Sequence, residues 1–181
     1  ERDPRNPTHV MSVYGTGYSF APLGETVELV PVPVKPQQAS NLGRAENVFF
    51  GREAEQAQLD AFMQQPSGCV TVLGPPGTGK TRLVKHWAAE KLAAAAVDSA
   101  WFCDLVQARS EMGVLHAVAE VFDVSLSEKD NDTSIIRRRL GQAIAARGST
   151  LVIFDNAEQA VQWVGPLVKE CWERAKEAHF V

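Results

Sequence analysis

At 181 residues the chain is long enough for one domain plus a fragment. Its composition, 45% hydrophobic and 22% charged, is ordinary for a soluble globular protein, and no apolar run reaches the ~18 residues that would span a membrane. A net charge of −4 leaves no global basic character of the kind that marks nucleic-acid binding.

The first 21 residues read as a β-hairpin. His9 to Val13 form one arm, Gly15-Thr16-Gly17 the turn, and Tyr18 to Phe20 the other arm. Residues 22–46 carry Pro22, Pro31, Pro33 and Pro36. Val32-Pro33-Val34-Lys35-Pro36 cannot be helical and suits no central strand, so this stretch is expected to be an extended linker. From Phe49 onward helices and strands alternate. Glu53 to Gln64 form a helix with Leu59, Phe62 and Met63 on its apolar side. Cys69 to Leu73 are a buried strand, and Leu83, Val84, Trp87, Ala88 and Leu92 recur at helical spacing.

A second strand, Ala100 to Cys103, ends at Asp104. Val114, Leu115, Val118, Ala119 and Phe122 mark a helix. The next helix is capped by Asp132 or Thr133, holds Ile135, Ile136, Leu140 and Ile144, and stops before Gly148. Thr150 to Phe154 are a third strand, running into Asp155, and a long helix through Trp163, Leu167 and Trp172 follows. Strands separated by helices imply an α/β domain on a parallel sheet. The sequence starts at Glu1 without an initiator methionine and stops at His179-Phe180-Val181 within an apolar strand. It therefore reads as an excerpt of a longer protein. Cys69, Cys103 and Cys171 are widely spaced with no C-x-x-C, the pattern of small buried thiols in a reducing cytosol.

Residues 74–81 read Gly-Pro-Pro-Gly-Thr-Gly-Lys-Thr, the phosphate-binding P-loop, and both flanks supply its strand–loop–helix context. Gly74, Gly77 and Gly79 allow backbone turns that side chains would obstruct, so their N–H groups can curl around phosphate oxygens, and the N-terminus of the helix that follows adds its positive dipole end. The binding set is thus Gly74, Pro75, Pro76, Gly77, Thr78, Gly79, Lys80, Thr81 and Arg82. Lys80 brings a mobile positive charge to the phosphates, and the Thr81 hydroxyl suits Mg²⁺.

Leu151-Val152-Ile153-Phe154-Asp155 has the Walker B form, a buried strand delivering a carboxylate to its C-terminal edge, where Asp155 would hold Mg²⁺ opposite Thr81. The alternative for Asp155 is a helix cap. Many P-loop ATPases carry Glu directly after this Asp. Here Asn156 stands there; it can orient water but cannot act as a base. Glu158 can take that role or only stabilise the first turn of the next helix. A slow switch fits this set better than a rapid motor. Arg137-Arg138-Arg139 reads as a solvated helix face, and His86, His116 and His179 lack metal-ligand spacing.

Three stretches carry a resemblance. Phe49-Phe50-Gly51-Arg52-Glu53-Ala54-Glu55 resembles the hhGRExE box of the signal-transduction (STAND) NTPases and their AAA+ relatives. Ala100 to Leu105 resembles the second strand of that domain. Ile153-Phe154-Asp155-Asn156-Ala157-Glu158 resembles the L-D-N-x-E segment of AfsR/LuxR-type bacterial regulators. The resemblance covers about residues 48–181. It implies a three-layer P-loop NTPase fold, truncated at its C-terminal end, with typical strand order 5-1-4-3-2. It further implies ATP or ADP with Mg²⁺, an adenine site built from Val48, Phe49, Phe50 and Gly51, and Arg52 near the nucleotide.

Asp3-Pro4-Arg5-Asn6-Pro7 and the hairpin after it resemble the closing wing of an OmpR-type winged-helix domain. The implied organisation is a partial wing (1–21), a linker (22–46) and a partial NTPase domain (47–181) of a cytoplasmic transcriptional regulator. DNA would then be contacted only through the rest of the winged-helix domain, no membrane is involved, and the parent protein is open to oligomerisation. This excerpt alone is expected to show weak or absent ATPase activity. The rival readings are a nucleotide-binding module without turnover and a P-loop kinase. Residues 93–99 are small and apolar-rich, unlike the arginine-rich lid a kinase usually needs.

Overall fold

The computed structural model describes residues 10–13, 17–20, 39–43, 49–127 and 132–181. The chain divides into two units, residues 1–35 and 36–181. In the first, β1 (Val10–Val13) and β2 (Gly17–Phe20) pair antiparallel, Val10 opposite Phe20 and Val13 opposite Gly17. This is the expected hairpin. Gly15 and Thr16 of its turn, the Asp3–Pro7 motif, residues 22–38 of the linker and Val48 lie outside the described residues.

The second unit is an α/β domain on a five-stranded, wholly parallel sheet. Its elements are β3 (Ala39–Ser40), α1 (Glu53–Phe62), β4 (Gly68–Cys69), α2 (Lys80–Ala93), β5 (Ser99–Asp104), α3 (Glu111–Val121), α4 (Thr133–Ala145), β6 (Thr150–Asp155), α5 (Val161–Arg174) and β7 (Ala178–Phe180). The strands lie in the order β3-β5-β6-β7-β4. The P-loop strand β4 therefore sits beside β7, with the Walker B strand β6 next. That is the 1-4-3-2 part of the implied order, extended by β3 on the far edge.

Period-two alternation sorts the strands into two cores. Ala100, Leu151 and Ile153 face one side, where they pack on Leu59 of α1 and Leu83, Val84, Trp87 and Ala88 of α2. Cys103, Val152 and Phe180 face the other, against Val114, Leu115 and Val118 of α3, Ile136, Leu140 and Ile144 of α4, and Leu167 and Cys171 of α5. Helix, sheet and helix thus make three layers. Ser110 caps α3 through Gly113 N, and Asp132 caps α4 through Ser134 N and Ile135 N. Gly148, at φ 69, ends the turn after α4.

Four details depart from the sequence reading. The strand expected over 69–73 pairs only through Gly68–Cys69, with Val70 N still donating to Phe180 O (2.9 Å). Ala39–Ser40, within the segment read as linker, pairs with Ser99–Ala100 of β5. Arg137 and Arg139 are not simply solvated: Arg137 pairs with Glu111, and Arg139 donates to Ser125 O (2.8 Å). Cys69 is exposed, whereas Cys103 and Cys171 are buried, their thiols pushed up to about 12 by that burial and so unreactive.

Candidate nucleotide-binding site

Past Val70 the chain leaves the sheet and forms the P-loop, which delivers α2 at Lys80. Gly77 and Gly79 have φ 78 and 82, a left-handed backbone that would cost another residue about 1–2 kcal/mol each. Gly79 occupies the N-cap position of α2, and no side chain caps that helix, in contrast to α3 and α4. The amides of its first turn thus lack a side-chain acceptor, and with the helix dipole they suit an anion.

The loop is held from within. Lys80 Nζ donates to Gly74 O (2.9 Å) and Pro75 O (3.2 Å), and Thr78 Oγ1 donates to Pro75 O (2.8 Å). A Cβ at Gly74 would stand 3.2 Å from Thr78 Oγ1, so a side chain there would crowd the ring. These bonds hold the Lys80 charge against the carbonyls at the start of the loop.

Thr81 and Asp155 meet. The Thr81 hydroxyl lies 2.9 Å from Asp155 Oδ1 and 3.0 Å from Oδ2, joining positions 74 residues apart in sequence. The sheet causes this: β6 ends at Asp155, two strands from the P-loop strand, while α2 crosses over the same face. Two hard oxygen donors at one point fit Mg²⁺, which takes one or two protein ligands and completes its shell with water and phosphate oxygens. Among the described residues no group of three or more His, Cys, Asp or Glu forms a metal site of another kind.

The Gly-Arg-Glu box reaches the loop through Arg52. Gly51 and Arg52 are both left-handed (φ 76 and 69), and the turn swings the Arg52 guanidinium onto Thr78 O (3.1 Å) and Glu55 Oε1 (2.6 Å). The Arg52 bond holds the Glu55 carboxyl below the usual carboxylate range. Phe49 stacks on His86 of α2 (ring centroids 4.5 Å apart), with the Arg82 guanidinium 5.7 Å from the Phe49 ring centroid. Phe50 is 86% exposed and Leu73 85%, leaving two apolar side chains uncovered where the box and the loop begin. Trp87, fully buried, donates through Nε1 to Asp60 (2.7 Å), and Lys91 pairs with the same carboxylate at 2.5 Å, so α1 is pinned to α2.

Beyond Asp155 the chain turns left-handed at Asn156 (φ 57), a conformation Asn tolerates better than most residues. Asn156 Nδ2 donates to Asp104 Oδ1 (2.9 Å), and Val106 N donates to the same oxygen (3.0 Å). These bonds, with Lys85 nearby, hold the Asp104 carboxyl below its ordinary value. Glu158 is exposed on the 3₁₀ turn Ala157–Gln159. Asp104, the partner of the residue that follows Asp155, was passed over by motif reading. Its one signal was a second buried strand ending in an acid.

No helix among the described residues is long and apolar enough to cross a membrane. Residues 48–167 match the family model of the AAA ATPase domain. No curated protein matches the chain.

Proposed function

The chain belongs to the AAA ATPase domain family, and on that premise we propose that it binds ATP with Mg²⁺ and hydrolyses it slowly, as the nucleotide switch of a cytoplasmic transcriptional regulator. The observation that carries the proposal is the meeting of Thr81 and Asp155 at 2.9 and 3.0 Å, beside a P-loop whose lysine is held against the loop's first carbonyls. The α2 amides and Lys80 bind the phosphates, and Thr81 and Asp155 would hold the metal. Mg²⁺ when bound neutralises charge on the phosphate oxygens. Arg52 ties the Gly-Arg-Glu box to the loop, with Phe49, Phe50 and Arg82 on the side of the base. Asn156 orients water and takes no proton. With no carboxylate directly after Asp155, slow turnover follows.

The regulatory context is supported by the hairpin at residues 10–20, which suits a winged-helix wing, and by the Asp-Asn-Ala-Glu segment. Nucleotide state would bias the orientation of an attached domain, and DNA contact would belong to that domain. A second reading, binding without turnover, is favoured by the amide Asn156 standing directly after Asp155, where it can take no proton. Phosphate release with the protein in excess over ATP separates the two. Wild type should release phosphate slowly and Lys80→Ala at least about 100-fold more slowly, as when a main charge-stabilising donor is lost. Equal rates would remove the enzyme reading and leave the binding module.

A further inference from the structure

Residues 39–43 belong to none of the motifs, yet they are seated on the domain. Ala39 and Ser40, both exposed, pair with Ser99 and Ala100 at the edge of β5. Asn41 bonds Phe102 twice: Nδ2 donates to the carbonyl at 2.8 Å, and Oδ1 accepts from the N–H at 2.7 Å. Leu42 N donates to Ser40 Oγ (3.1 Å), and the partly buried Leu42 side chain packs against the cluster of Leu83, Val84 and Trp87. Gly43 follows with a left-handed backbone at φ 77.

A second anchor comes soon after in the chain. Phe49 packs against the same cluster and stacks on His86, and Arg52 donates to Thr78 O of the P-loop (3.1 Å). Residues 44–48 separate the two anchors. Ordering a residue costs at least as much as one hydrogen bond returns, so a two-residue ladder with one bonding side chain stands close to balance by itself. Fixing the Gly-Arg-Glu box on α2 and the loop keeps the end of the segment near its seat and lowers the entropy lost on docking. The reverse also holds, since a seated segment restricts the box.

We propose that residues 39–43 are a regulatory strap: their seating on β5 and nucleotide binding at the P-loop favour each other through the Gly-Arg-Glu box. Nucleotide state thereby sets how firmly the chain is held where it enters the sheet at Ala39. The inference rests on the nucleotide-binding reading above and deepens it by naming the element through which the bound state leaves the site. Linkage makes the effect reciprocal: the factor that nucleotide adds to seating is the factor that seating adds to nucleotide affinity.

The test follows the Phe102 N–H, whose acceptor is Asn41, by hydrogen exchange with and without Mg²⁺ and a non-hydrolysable ATP analogue. Affinity for a fluorescent ATP analogue is measured alongside. With the strap seated about half the time before nucleotide arrives, the analogue should slow Phe102 exchange about threefold, beyond any change at the Val114 N–H of α3. Asn41→Ala, which removes both bonds, should abolish that slowing, weaken affinity by the same factor and leave the melting temperature near wild type. In an Arg52→Ala background, where the box has lost its bond to the loop, Asn41→Ala should cost no further affinity.

Unchanged Phe102 exchange with the analogue bound would overturn the strap and leave the binding reading standing. Wild-type affinity in Asn41→Ala would do the same, and a lower melting temperature beside it would mark the segment as an edge seal only. An undiminished loss in the Arg52→Ala background would overturn the route through the box. A wild type that binds no analogue overturns the nucleotide-binding reading and the strap with it.

Discussion

Arg52 offers a test in which strain and contact separate. Its backbone is left-handed at φ 69, ψ 23, while its side chain reaches Thr78 O at 3.1 Å and Glu55 at 2.6 Å. Arg52→Ala and Arg52→Gly delete the same contacts but differ in backbone cost. A left-handed Ala is strained by about 1–2 kcal/mol relative to Gly. The unfolded Gly chain gives back about 0.4–1 kcal/mol in entropy. The Gly variant should therefore be the more stable by roughly 1 kcal/mol, which at a urea slope of about 2 kcal/mol/M separates the unfolding midpoints by about 0.5 M.

Nucleotide affinity should behave differently. Both variants lose one half-exposed charged bond to the loop, worth about 1 kcal/mol, and should weaken binding of a fluorescent ATP analogue about fivefold and equally. The Glu55 pair is exposed and adds little. Coincident urea curves would show that the turn carries no strain. Wild-type affinity in both variants would show that the box does not support the loop.

Asp60→Leu strands the Trp87 N–H in the core and should cost about 1–3 kcal/mol, whereas Asp60→Asn keeps that acceptor and should cost less than about 1 kcal/mol. Burial pushes the Asp60 carboxyl up, but the bonds from Lys91 and Trp87 outweigh it and leave it below its ordinary value. The advantage of wild type over Asp60→Asn should accordingly be complete above about pH 4 and vanish as acid protonates the folded carboxylate. A gap in urea midpoints that widens in acid would contradict this. Gly148→Ala meets both a left-handed φ of 69 and Asp98 Oδ2 only 2.6 Å from the new Cβ, so it should lower stability by about 1–3 kcal/mol. Part of that cost should disappear in an Asp98→Ala background, and strict additivity would place all of the strain in the backbone.

The phosphate-binding loop was legible because its chemistry is local: glycines, lysine and threonine at fixed spacing between a strand and a helix. Asp155 was legible because four apolar residues and an acid make a buried strand with a charged end. The Asp104–Asn156 bond was not, since it depends on the register of β5 against β6, a pairing across 52 residues that no window of sequence contains. The left-handed turn at Arg52 escaped because Arg gives no local sign of that conformation. β3 escaped because Ala-Ser carries no strand pattern and owes its place to the partner edge. Leu73 looked like strand interior, yet it stands exposed where the chain has left the sheet for the loop.

That edge has a mechanical side. Asn41 clasps a single residue of β5 from both directions, its amide donating to Phe102 O (2.8 Å) and its oxygen accepting from Phe102 N (2.7 Å). A side chain thereby continues the ladder where backbone pairing stops, and blunts an edge that would otherwise be open to foreign strands. Tension arriving along the chain at Ala39 loads the strand pair and this clasp together, in shear, so the clasp acts as a coupling rather than a seam. The strand it grips is the one that ends in Asp104. A force from whatever precedes residue 39 would therefore be felt two residues short of the acid that holds Asn156.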